Sequence, residues 1–171
     1  EMGAQVSYLP ENTAKGLLPV TISGATPVLP ADYHSTIASA QIKSAILLAG
    51  LNARGTTKVT EPHISRDHTE AMLRHFGLTV EQTILADGRH EVSVTGEGQL
   101  RAADIAVPRD PYSAAFAMVA ALITPNSHIT LPGISMNPQR IGLIATLQEM
   151  GGSLSLSNHR IEGGEDVADI A

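Results

Sequence analysis

Apolar positions recur along this chain at two periods. Residues 39–52 (SAQIKSAILLAGLN) and 113–126 (SAAFAMVAALITPN) place small and apolar residues at helical spacing. Residues 66–77 (RDHTEAMLRHFG) and 140–151 (RIGLIATLQEMG) read as a second pair of amphipathic helices. Alternation at period two predicts strands over 4–9, 18–24, 56–61, 78–82, 90–96, 127–132 and 153–157. Leu18, Val20 and Ile22 share one face of their strand, and Val92 and Val94 are expected inward. Asp87-Gly88 between two β-like runs predicts a hairpin. Ser39 is a natural N-cap, Ser65 or Asp67 can cap the next helix, and Asp110-Pro111 precedes a helix over 112–123.

These elements repeat. Gly3, Gly77 and Gly151 each follow a similar helix end, and their spacing is constant (77 − 3 = 151 − 77 = 74). Ser39 and Ser113, and likewise Arg66 and Arg140, keep the same offset. A period of this length means one supersecondary unit used more than once. Each unit reads α-β-α-β-β, with strands on one side and helices packing onto them. Opening inside a unit and without an initiator methionine, the sequence is expected to be a fragment of a longer polypeptide. A junction is expected near 106–111 (AVPRDP).

Composition narrows the classes. A chain of 171 residues, 43% hydrophobic and 16% charged, can bury a core as a globular protein. The net charge of −6, with no run of Lys/Arg beyond two, argues against nucleic-acid binding. The longest apolar run, 114–123, has ten residues against the roughly 20 a bilayer needs, so no membrane partner is expected. Zero cysteines removes disulfides, thiolate metal sites and cysteine nucleophiles, and fits a reducing, cytoplasmic setting.

Two places carry candidate chemistry. At Ser39-Ala40-Gln41, small residues leave a helix N-terminus open to an anion such as phosphate, and Gln41 adds an amide. The plainer reading is that Ser39 only caps the helix and Gln41 faces water. In the second copy the glutamine is lost and Ala117 stands in the place of Lys43, so one copy looks equipped for binding and the other structural. Arg66, between a strand end and a helix start, can offer a bidentate fork to phosphate. Its alternative is an exposed ion pair with Asp67 or Glu70, while Arg140 is expected to cap or pair locally. His63, His68 and His75 form no HExxH pattern, and no metal site is expected. Gly96-Glu97-Gly98 precedes no helix and is no dinucleotide fingerprint, and 162–166 (EGGED) reads as a turn.

The runs SAQIKSAILLAGLN and EPHISRDHTEAMLRHFG, with MNPQRIGLIATLQEMGGSL (136–154) and EGGEDVAD (162–169), resemble the 5-enolpyruvylshikimate-3-phosphate synthases. The resemblance implies an α/β (α+β) fold of repeated βαβαββ units, the inside-out prism of enolpyruvyl transferases, with about two of six units present. It implies that residues 1–106 end the first domain and residues 107–171 begin the second. The implied enzyme transfers the enolpyruvyl group of phosphoenolpyruvate to the 5-hydroxyl of shikimate 3-phosphate and releases phosphate, using no cofactor. Ser39, Ala40 and Gln41 then match the tripeptide that holds shikimate 3-phosphate, with Gln41 also near phosphoenolpyruvate, and Arg66 matches a position that in the glyphosate-insensitive branch contacts the shikimate side of the site. Ala40 replaces a second serine common in the family, so one hydroxyl contact is absent. The SAQ and SRDHTE forms resemble the glyphosate-insensitive branch. None of the family's catalytic segments is in this stretch, so no catalytic residue is assigned and the piece alone is expected to be inactive. Made alone, it is expected to oligomerise or to need a complementing fragment. Two alternatives stay open: a sister transferase acting on a UDP-amino sugar, which uses a cysteine, and a non-catalytic module of the same unit.

Overall fold

The computed structural model describes residues 2–171, apart from the side chains of Glu11 and Asn12. Glu1, the first residue of the opening repeat signature, lies outside the described residues. The fold is mixed α/β and forms two compact units: the chain up to Ser65 with Leu78–Gln99, and Arg66–Gly77 with Leu100–Ala171.

The first unit opens with a two-stranded antiparallel ribbon, β1 (Gln5–Tyr8) and β2 (Val20–Ser23), in which Val6 faces Ile22. Its main sheet holds β3 (Asp32–His34), β4 (Thr56–Glu61), β5 (Val80–Ile84) and β6 (His90–Thr95), in the order β3-β4-β6-β5. β3 runs parallel to β4, and the helix α1 (Ala40–Gly50) makes the crossover between them. α1 buries Lys43, Leu47 and Gly50, one face at i, i+4 and i+7. A β-carbon on Gly50 would stand 2.7 Å from the Thr57 β-carbon, so only glycine lets the end of the helix rest against β4. Leu47, Ala53, Val59, Val92 and Val94 form this core. Val59 lies opposite Val92 in register, which brings their branched side chains together across the strands.

The second unit contains α2 (His68–His75), α3 (Pro111–Ile123), α4 (Gly142–Glu149) and a sheet of β7 (Leu131–Ser135), β9 (Glu165–Ile170) and β8 (Leu156–Glu162), in that order. Ala114, Met118, Ile134, Met136, Ile144, Ala168 and Ile170 form its core. α2 is tied here by His68 Nδ1 to Glu165 Oε1 (2.7 Å) and by Asn137 Nδ2, which donates to Asp67 Oδ1 at 2.8 Å. Arg109 makes an isolated parallel bridge to Ile134, donating to the Gly133 carbonyl (2.9 Å) and accepting from Ser135 N (3.0 Å). It holds the place beside β7 that β3 holds beside β4. Each copy is therefore β-α-β-α-β-β in chain order, one strand more than the hydrophobic pattern alone predicted. The leading strand has three residues in copy one and a single bridge in copy two, too short for alternation to register.

Helices and caps follow the sequence closely. α2 and α4 begin and end 74 residues apart (142 − 68 = 149 − 75 = 74). Ser39 Oγ accepts from Ile42 N at 3.4 Å, and Asp110 Oδ2 from Ser113 N at 2.9 Å with Pro111 in the first turn. Asp67 holds the N-cap position of α2 but makes no cap bond with its side chain, and Ser65 does not cap at all. The Asp87-Gly88 hairpin forms with Gly88 at φ +84, and Gly163-Gly164 makes the β8–β9 turn.

Strands in the second copy differ more. The stretch expected over 127–132 forms at Leu131–Ser135, because Asn126 adopts φ 59 in a turn and delays it. Pro132, which cannot donate to the ladder, sits at a register shift between Leu131 and Ile134. The stretch expected over 153–157 becomes Leu156–Glu162, with Ser155 and Ala171 exchanging backbone bonds just before it. On β2, the face shared by Leu18 and Ile22 is uncovered, with Ile22 66% exposed.

Asp169 ties the second sheet together, accepting from Gly133 N (2.8 Å), Asn158 Nδ2 (3.1 Å) and Arg160 Nη1 (3.0 Å). The Asn158 amide, the Gly133 N–H and Arg160 lower its carboxyl from the ordinary 3.8 to about 2. A depressed folded-state value adds stability above the unfolded value and loses it as pH falls through the folded one. Asp169→Asn is therefore expected to flatten acid unfolding between pH 3.8 and about 2, as read by circular dichroism at stepped pH. On α3, Phe116 is 82% and Ile123 76% exposed. Such apolar surface favours self-association. The 171-residue chain made alone is expected to sediment as a concentration-dependent oligomer, and Phe116→Ser with Ile123→Ser to shift it toward monomer.

Candidate functional site

The start of α1 is open. Ser39 is extended (φ −141, ψ 108) and caps the helix, and its carbonyl accepts from Lys43 N at 3.0 Å. The N–H groups of Ala40 and Gln41 have no acceptor within the helix, and the dipole adds partial positive charge there. Gln41 is exposed and its amide makes no hydrogen bond among the described residues.

Arg66 lies in the loop between β4 and α2, half-buried, with no ion pair or side-chain hydrogen bond among the described residues. The alternative of a pair with Asp67 is not what forms, because Asp67 accepts from Asn137 instead. A half-buried guanidinium without an acceptor among the described residues suits a carboxylate or phosphate oxyanion.

The first unit also holds a buried polar network that the sequence did not disclose. Glu61, 1% exposed, ends β4, and its register partner on β6 is His90. Its Oε1 accepts from Lys43 Nζ (3.1 Å), Ser65 N (3.1 Å) and Ser65 Oγ (2.9 Å), and stands 3.2 Å from His90 Nδ1. The same Ser65 hydroxyl, with one proton to share, stands 2.8 Å from the second oxygen. Lys43, 0% exposed, also donates to the Ser65 carbonyl at 3.3 Å. Burial alone would raise the Glu61 carboxyl, but the Ser65 hydroxyl, His90, the Ser65 N–H and Lys43 outweigh it and hold the group below its usual range. An ionised Glu61 requires the proton of the His90 ring on Nδ1. One signal was available: Lys43 shares the buried stripe of α1 with Leu47, and a lysine there needs an acid facing it.

The second copy has neither charge, with Ala117 and Ser135 at the matching positions. Its helix start is filled by its own chain. Asp110 accepts from Ser113 N and Ser113 Oγ (2.8 Å) and from Arg140 Nη2 (2.7 Å), and Arg140 lies 4.5 Å over the Tyr112 ring. The Ser113 hydroxyl and N–H and the Arg140 charge hold Asp110 below its ordinary range. Arg140 thus pairs locally, as its sequence context suggested. Among the described residues no cluster of three or more His, Asp or Glu side chains could hold a metal ion, and no helix is long and apolar enough to cross a membrane.

A βαβαββ unit used twice is the repeat of the enolpyruvyl transferase fold. The family model for EPSP synthase (3-phosphoshikimate 1-carboxyvinyltransferase) matches residues 1–170, and the chain belongs to that family. It is 58% identical over 156 residues to the 3-phosphoshikimate 1-carboxyvinyltransferase of Granulibacter bethesdensis, covering 91% of this chain and 34% of the relative. It is 50% identical over 175 residues to that of Parvibaculum lavamentivorans, covering 99% of this chain and 39% of the relative. A solved EPSP synthase from Acinetobacter baumannii superposes with a TM-score of 0.85 at 46% identity, over 99% of this chain and 36% of that one. The chain thus spans between 34% and 39% of these relatives' lengths.

Breaking the buried network from one side leaves an unpaired charge. Lys43→Met is expected to cost about 3–5 kcal/mol of stability, and Ala117→Ser, at its counterpart, under about 1 kcal/mol, measured by urea unfolding.

Proposed function

We propose that this chain forms part of the shikimate 3-phosphate cradle of a 5-enolpyruvylshikimate-3-phosphate synthase. In the reaction, the 5-hydroxyl oxygen of shikimate 3-phosphate forms a bond to the enol carbon of phosphoenolpyruvate. The bond from that carbon to the phosphate oxygen breaks, and phosphate leaves with the hydroxyl proton. Ser39 and the N–H groups of Ala40 and Gln41 receive the anion at the start of α1, Arg66 supplies a cationic fork, and Gln41 reaches toward phosphoenolpyruvate. The supporting observation is internal to the chain. In copy two, Ser113 and Arg140 grip the Asp110 carboxylate. Their counterparts 74 residues earlier are Ser39 and Arg66, and the counterpart of Asp110 is the uncharged Thr36. Copy one has the same residue types at the same spacing and no carboxylate at the position of Asp110.

Under this reading, residues 1–106 end the first domain and 107–171 begin the second. General acid and base come from the remaining parts of the enzyme, and 1–171 alone has no turnover. The SAQ and SRDHTE forms favour the glyphosate-insensitive type, and a chain without cysteine suits the cytoplasm.

The test grafts residues 1–171 in place of the matching segment of the Acinetobacter baumannii enzyme. The graft is expected to release phosphate from shikimate 3-phosphate and phosphoenolpyruvate. Arg66→Ala should raise KM for shikimate 3-phosphate about tenfold to a hundredfold, the loss of a hydrogen bond to a charged group. Arg140→Ala should leave KM unchanged. A folded graft that releases no phosphate would sink the reading.

A further inference from the structure

We infer that Glu61 and Lys43 are positioning residues for the substrate arginine: they clamp both peptide groups of Ser65 and thereby set the backbone from which Arg66 projects. The inference rests on the substrate role proposed for Arg66. Pro62–Asp67 belongs to neither helix nor strand, so no ladder holds this stretch. Ser65 is gripped instead at every polar atom it has. Its N–H donates to Glu61 Oε1 (3.1 Å), its hydroxyl stands 2.9 and 2.8 Å from the two Glu61 oxygens, and its carbonyl accepts from Lys43 Nζ (3.3 Å). That carbonyl belongs to the peptide that begins Arg66. Lys43 sits four residues after Ser39, one turn along α1, so the same helix that opens to the anion also holds the arginine's loop.

Stability alone is a poor account of the network. A buried ion pair gains little over apolar residues of equal volume, since desolvation roughly offsets attraction. The second copy makes the point directly: with Ala117 and Ser135 in these places it carries no such charges, and its loop is held by Asn137, whose Oδ1 accepts from Gln139 N at 3.0 Å. Arg140 there is held both by its side chain on Asp110 and by its N–H, which donates to the Asn137 carbonyl at 2.8 Å. Among the described residues Arg66 has no such side-chain anchor, and its backbone is held through Ser65.

The experiment uses the grafted full-length enzyme. Ser65→Ala removes the hydroxyl bonds, and Glu61→Gln removes the charge at nearly constant volume. Each is expected to raise KM for shikimate 3-phosphate about threefold to tenfold while kcat changes less than about twofold, and Ser65→Thr to restore KM. In an Arg66→Ala background Ser65→Ala should add nothing further, because its effect passes through the arginine. If Glu61→Gln does not fold, the Ser65 series carries the test by itself. Variants that lower Tm but leave KM unchanged, or a KM rise that persists without Arg66, overturn the inference alone. An unsubstituted graft with no turnover overturns the functional reading and the inference with it.

Discussion

A carboxylate buried as completely as Glu61 stays ionised only if donors reach it from several directions, and that demand organises the first unit. Lys43 arrives from α1, His90 from the neighbouring strand, and Ser65 from the loop that follows β4. Each donor requires its own element in register: α1 turned so that position 43 shares the stripe of Leu47, and β6 paired so that His90 falls opposite Glu61. A one-residue slip of β6 would send His90 to the other face of the sheet and leave part of the carboxylate unmatched. The apolar core tolerates some repacking, but a buried charge is less forgiving. The polar network therefore specifies the arrangement that the Val59–Val92 packing stabilises.

The two copies show how one backbone plan can serve two ends. Both place a serine at the start of the first helix and an arginine 27 residues later (66 − 39 = 140 − 113 = 27). In the second copy the pieces satisfy one another through Asp110, and the helix start becomes a joint within the fold. In the first, Arg66 is left without a side-chain partner among the described residues, and the cost of holding its loop moves to the buried Glu61–Lys43 pair. A single aspartate, present at 110 and absent at 36, accounts for the closed helix start of the second copy.

Much of this was legible in the residues. Helices were placed well because periodicity and caps agree over ten or more positions, as at Ser39 and Asp110-Pro111. The hairpin was marked by Asp87-Gly88, whose glycine supplies the positive φ the turn needs. Strands of the second copy slipped by several residues. There a turn at Asn126 and the Pro132-Gly133 irregularity break the alternation that pattern reading relies on. β3 was invisible to pattern because three residues carry no period. For the candidate site, chain spacing singled out the helix start and Arg66. The Glu61 network escaped because it depends on which residue of β6 faces which of β4, a fact of pairing geometry and not of spacing.

Asp110 has one further consequence. A carboxylate fixed to the same chain acts as a tethered ligand, present at its helix start at an effective concentration that no dissolved metabolite approaches. A dissolved anion reaching the start of α3 would have to displace that tethered carboxylate first. The second copy's helix start is thereby closed by self-occupancy.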